Sequence, residues 1–324
     1  MAATETPPLK LIGSGPQSSV AAAFPHASGS SAHTAFPLLW ILLGLLAPAS
    51  YASELKPATE AAFNRYIRAT ESQMDSDSGR VQFLVVDRLP ETQRRSIYDQ
   101  LQQGQVYVQE VRTSEEGQAI PIPGGLVHHW AGVVFIPKAR ASDAIAILQD
   151  YENQSNIYKP DVRQAKLIEQ HGDESNILEQ FYSKSVVTVV LNAYFHVVET
   201  DLGSGRCQSV SRSTRIVEVE DAATPDEHER TDGKDHGYMW RLNSYWRVEE
   251  KGGGVYVQNE SISLSRTIPV FFGWVIEPLT KSIPRELLVR MLTNTRNAVE
   301  ADAAKSKPAS RKEERSFSPA SPAR

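Results

Sequence analysis

The sequence predicts an α+β fold: a curved antiparallel sheet wrapped around a long C-terminal helix, preceded by an N-terminal α/β extension. Three observations carry this. From Val162 onward, six strand-like runs follow one another through turn-length connections such as "HGDES" and "DLGSGR", the pattern of an antiparallel meander, because parallel strands need long crossovers. After them Leu287, Leu288, Met291, Leu292, Thr295 and Val299 fall on one helical face. A sheet with one apolar face and one amphipathic helix bury each other if the sheet curves and the helix lies in its concave side.

The elements follow in order. Residues 54–74 place Ala61, Ala62, Tyr66, Ala69 and Gln73 at helical spacing, with Thr59 as a start signal. "VQFLVVDR" reads as a buried strand, "ETQRRSIYDQLQQG" as a helix closed by Gly104, and "QVYVQEV" as a strand. "PIPGG" marks a connection. "LVHHWAGVVFIP" is strand-like and ends at Pro137, which has no amide to donate. "ASDAIAILQDYENQSNIY" is helical from an N-cap at Ser142, with a bend near Asn153. The meander follows, and Ser282 with Pro284 marks the start of the final helix. The domains expected are a leader over 1–52, an extension over 53–124, the sheet-and-helix domain over 125–303 and a disordered basic tail over 304–324.

Composition bounds the partners. The 324 residues are 40% hydrophobic and 23% charged, ordinary globular proportions. A formal net charge of −5 and a pI near 5.9 offer phosphate backbones no general attraction, so nucleic acid is not an expected partner. The single cysteine, Cys207, excludes an intramolecular disulfide and a cysteine-rich zinc site. Near the start, the apolar run "AFPLLWILLGLLA" precedes "PASYAS", where Ser50 and Ala52 are spaced for cleavage after Ala52. This reads as a signal peptide and implies export, to a periplasm or medium. The run is shorter than the roughly 20 residues of a membrane span, so no integral span is expected once the leader is removed. The stretch before it is long and poor in Lys and Arg, which a later start, for instance at Val20, would explain.

"HHWAGVVFIP" leading into "ASDAIAILQDYENQSNIYKPDV", together with the closing "SLSRTIPVFFGWVIEPLTKSIPRELLVRMLTNTRNAV", resembles the START-like superfamily, also called SRPBCC, which includes polyketide cyclase-like proteins. The likeness spans about residues 125–303, and among its members are uncharacterised exported bacterial proteins. It implies a helix-grip fold with a cavity between helix and sheet, and no cofactor.

The hairpin over 238–269 supplies the candidate lining. Pairing Trp246 with Gln258 sets Ser244 against Glu260, Leu242 against Ile262 and Trp240 against Leu264. Trp240, Leu242, Trp246, Ile262 and Leu264 then face inward around Glu260, opposite Leu288 and Met291 of the helix. Arg241, Asn243, Arg247, Asn259 and Ser261 face water. A carboxylate on an apolar face needs a partner, which Arg212 or Arg266 could supply. His128 and His129, adjacent on a strand, point to opposite faces, and His129 is a candidate for the cavity. Two readings stay open: the tryptophans fill a core, or they line a pocket for a hydrophobic small molecule or lipid. An enzyme of cyclase or dehydratase type, using Glu260, Arg212 and a histidine, and a non-enzymatic envelope scaffold are the alternatives. No residue is assigned a catalytic role.

No phosphate loop, nucleophile elbow or dinucleotide fingerprint is present. The His228 and His236 loop, "DEHERTDGKDHG", lacks the rigid spacing of a metal site, so no metal is expected. His196 lies on the polar phase of its strand and is expected outside, and Cys207 is expected to be buried and inert.

Overall fold

A computed structural model describes residues 54–78, 82–184, 188–231, 233–267 and 270–305, with 76–78 and 270–283 described by backbone alone. The leader and the basic tail from 306 lie outside these residues, so the signal peptide and its cleavage point do too. No helix among the described residues is long and apolar enough to cross a membrane.

The extension begins with α1 (Pro57–Ser78), whose first residue is a proline, tolerated there because that amide has no helical partner. Its buried face is Thr59, Phe63, Tyr66, Ile67, Thr70 and Met74. Of "VQFLVVDR", expected as a strand, residues 83–87 are buried, and Val85–Arg88 form a 3-10 turn. Asp87 explains the difference: its carboxylate accepts the Leu84 amide at 2.9 Å and bends the chain back. Then come α2 (Glu91–Gln102), β1 (Tyr107–Glu110) and a small ribbon of β2 (Ser114–Glu115) and β3 (Gln118–Ala119).

The sheet-and-helix part opens with β4 (Gly125–Pro137), α3 (Ala141–Gln149), a 3-10 turn at Tyr151–Asn153 and α4 (Gln154–Ile157). The Asp143 carboxylate accepts the Arg140 amide at 2.8 Å, so α3 is capped from Arg140 and not from Ser142. The meander is β5 (Val162–His171), β6 (Glu174–Lys184), β7 (Thr188–Gly203), β8 (Arg206–Glu220), β10 (Arg241–Lys251) and β11 (Gly254–Arg266), with a two-residue β9 (His228–Glu229) beside β8. The last helix, α5 (Val270–Lys305), starts well before Ser282 and carries Pro284 in its interior.

The strands form one sheet in the order β1-β4-β11-β10-β8-β7-β6-β5, so the first long strand closes against the last. Leu288, Leu292 and Val299 of α5 pack on Val134, Ile136, Val248 and Val257, on the concave face. Gly132 permits the approach: a Cβ there would lie 2.7 Å from Leu292 Cδ1. The extension builds onto the sheet in two ways. It adds β1 beside β4, and α1, the 3-10 turn and α2 cover the outer face of β4, β10 and β11. The middle of the molecule is therefore helix, sheet, helix.

Candidate functional site

The register of the hairpin decides what the concave face contains. Gly252 and Gly253 both have positive φ, 66° and 80°, the backbone of a two-residue type I′ turn. That turn pairs Lys251 with Gly254, so Trp246 meets Asn259, Tyr245 meets Glu260, Asn243 meets Ile262 and Arg241 meets Leu264. The expected register is off by one residue, which moves one strand's face to the other side.

The expected lining is thereby split. Leu242 and Trp246 lie on the concave side, Trp246 packed against the same cluster as Leu288. Met291, beside Leu292 on α5, is half-buried. Glu260, Ile262, Leu264 and His129 lie on the outer face, fully buried beneath the extension. Trp240 precedes β10 and turns to that same outer cluster, so the two tryptophans do not share a face. Asn243 and Arg247, expected in water, are buried there as well.

On the outer face the polar groups form a closed network. Tyr66 Oη accepts the Thr113 amide at 2.9 Å and lies 2.9 Å from His129 Nδ1, so its own proton goes to that nitrogen. His129 Nε2 then donates to Glu260 Oε1 at 2.8 Å. Burial works to raise the Glu260 pKa, but the hydrogen bond from His129 and the guanidinium groups of Arg88 and Arg247 prevail and hold it below the ordinary value. Arg247 also donates to the Phe83 carbonyl at 2.9 Å, and Gln258 Oε1 accepts the Val85 amide at 2.6 Å. Arg212, expected beside Glu260, donates instead to Glu71 of α1 at 2.7 Å, and Tyr245 binds the same carboxylate. These groups dock the extension and are closed to a substrate, so the acid, arginine and histidine of the enzyme reading do not meet in a cavity.

The concave face differs in filling. Across its centre run Trp130, Ser261, Ser244, Ser211, Val197 and Ser175 in successive strands, with His128, Ser263 and Leu242 in the next row. Trp130, Ser261, Ser244 and Ser211 stay partly exposed, whereas the outer face of β4, β10 and β11 is sealed. His128 and His129 take opposite faces, as expected, and burial lowers the pKa of His128.

Further along this wall, β5 to β8 form an apolar patch of Leu167, Ile177, Phe181, Leu191, Ala193, Phe195 and Ile216, against which Tyr151 packs. Glu179 sits inside it, opposite Ala193 and Ala165. It has no ion-pair or hydrogen-bond partner among the described residues, and burial pushes its carboxyl up to about 7. The Tyr151 hydroxyl contacts Ser175, and its pKa is raised, chiefly by burial and also by Glu199 and Glu179. Glu199, raised by burial, accepts from Gln149. Glu179 was missed in the sequence, although a carboxylate alternating with Ile177 and Phe181 gives the same signal that drew attention to Glu260.

The remaining candidates lie elsewhere. His196 is on the outer face 3.3 Å from Asn176 Oδ1, as its phase predicts. His236 Nδ1 contacts Glu218 at 2.6 Å and His228 Nε2 contacts Glu220 at 3.3 Å, and no group of three metal-ligating side chains occurs among the described residues. Cys207 is half-buried against the α5 cluster, and burial raises its thiol.

No protein-family model and no curated protein matches the chain. Solved structures do resemble it. A STAR-related lipid transfer protein from Xanthomonas axonopodis is 18% identical, with 60% of this chain and 98% of that one covered and a TM-score of 0.39. The Zhui aromatase/cyclase from Streptomyces sp. R1128 is 11% identical over 55% and 96% of the two chains, TM-score 0.39. The lipid transfer and protein localization domain of human StarD13 is 12% identical over 65% and 98%, TM-score 0.35. At these values the likenesses carry nothing about role. Strand order and helix placement define the fold: an α+β helix-grip arrangement with a plated outer face.

Proposed function

We propose that the protein binds a hydrophobic small molecule or lipid non-covalently between α5 and the concave wall, and that it does so after export. One observation carries the binding reading: the two faces of β4, β10 and β11 are filled differently, the outer one sealed and the inner one left partly exposed around Trp130, Trp246 and Leu242. Apolar walls with a few polar groups are what small-molecule sites use. Export rests on the apolar run and small residues ahead of residue 53 alone. Native mass spectrometry of protein purified from its own host tests the binding reading, with a co-purified small molecule expected. Delipidated protein that takes up no fatty alcohol, fatty acid, fatty amine or aromatic probe overturns it.

A further inference from the structure

Charge on the strands is segregated by face. Every cation of β8 and β10 turns outward or toward the extension: Arg206 to Glu249, Arg212 to Glu71, Arg215 to Glu229, Arg241 to Glu60, Arg247 to the Phe83 carbonyl and Lys251 to Tyr98. β4 and β7 contain no Lys or Arg, and Arg163 of β5 faces Glu227 on the outer side. The cations of α5 beside the wall are committed too, Arg290 to Asp161 at 2.7 Å and Arg296 to the Gly104 carbonyl at 2.6 Å. The ionisable groups that the described strands turn to the concave wall thus include Glu179, Glu199, Glu218, Glu250 and His128, with the Tyr151 hydroxyl beside them.

Of these, Glu199 is held by Gln149, Glu218 by His236, Glu250 by the Ala141 amide, His128 lies 3.4 Å from Ser265 Oγ, and Glu179 alone has no partner among the described residues. A carboxylate in an apolar wall is stable only if neutralised by a proton or by an opposite charge. A ligand cation would supply that charge, whereas a ligand carboxylate or phosphate would meet two acids.

We infer that the ligand is an amphiphilic amine, an apolar body ending in an ammonium group that seats against Glu179. This rests on the hydrophobic-ligand reading above and gives it a chemical class. Burial near Ala165 and Ala193 makes the ion pair a desolvated, charge-assisted hydrogen bond, the strong kind.

The test compares hexadecylamine, hexadecanol and palmitate on the delipidated full chain at pH 8, by displacement of an apolar fluorophore. The expected result is amine bound about 10- to 100-fold more tightly than palmitate, the span of one charge-assisted hydrogen bond. Glu179→Gln should bring amine and alcohol together, and Glu179→Lys should turn the preference to palmitate. Palmitate bound as well as amine by the wild-type chain overturns the inference even if neither variant folds, as does an amine preference that survives Glu179→Gln. Alcohol bound without any amine preference leaves the hydrophobic-ligand reading standing and removes this one. Binding of none of the three removes both.

Discussion

Glu179→Gln should stabilise the unliganded protein above pH 4.5, with the full gain reached above neutral pH. The folded carboxyl titrates near 7 against an ordinary 4.5, with burial as the cause. That difference, roughly 2.5 units at about 1.4 kcal/mol each, amounts to roughly 3 kcal/mol. The sign follows from proton binding. Below 4.5 both states hold the proton and the group contributes nothing; between 4.5 and 7 the folded state alone keeps it, so stability falls as pH rises; above 7 the full penalty is present. Glutamine has the same shape and no charge. Urea denaturation followed by circular dichroism should show the variant more stable by up to roughly 3 kcal/mol at pH 8 and nearly unchanged at pH 4. An equal effect at the two pH values, or a loss of stability at pH 8, would refute the placement of Glu179 in an apolar wall.

Glu260→Ala leaves His129 and Arg247 buried without their carboxylate and should destabilise the fold by about 3–5 kcal/mol, with residues 54–104 becoming the first site of limited proteolysis. Gly132→Val drives a side chain into Leu292 Cδ1, 2.7 Å from the added Cβ, and should lower stability by about 1–3 kcal/mol in thermal unfolding. In a fluorescence titration with hexadecanol, Trp246→Phe should remove part of the ligand-induced change and Trp240→Phe none, because only Trp246 lies on the concave side. Leu292→Ala should cost about 2–5 kcal/mol by opening the contact between α5 and the sheet, read by denaturation.

The architecture was legible because it is written in periodicity. The meander, the amphipathic stripe of Leu288, Leu292 and Val299 and the glycine closure of α2 at Gly104 are all local signals, and all appear. The site was legible only in half, and the reason is the Gly252-Gly253 turn. Its I′ backbone sets a two-residue loop, while apolar-with-apolar matching favours a register one residue away. That matching assumed a single buried face, so Asn243 and Arg247 read as solvent-facing. The extension buries that second face and supplies Arg247 and Gln258 with partners at Phe83 and Val85, more than 160 residues away in sequence. Such partners leave no mark in local spacing. Start signals misled for a related reason: Asp143 and the backbone before Ser282 offer alternatives that a cap rule applied at Ser142 or Ser282 does not weigh.

The plating of the outer surface is uneven. Behind β4, β11 and β10 lies a second apolar layer, whereas Leu178, Tyr194 and His196 on the back of β6 and β7 remain half-exposed. One side of the grip is thus a thick, anchored jaw and the other a single-ply one. On the proposed binding reading, the thin jaw has the fewer packed layers to disturb and is also the one that bears Glu179, so entry and recognition would fall to the same few strands.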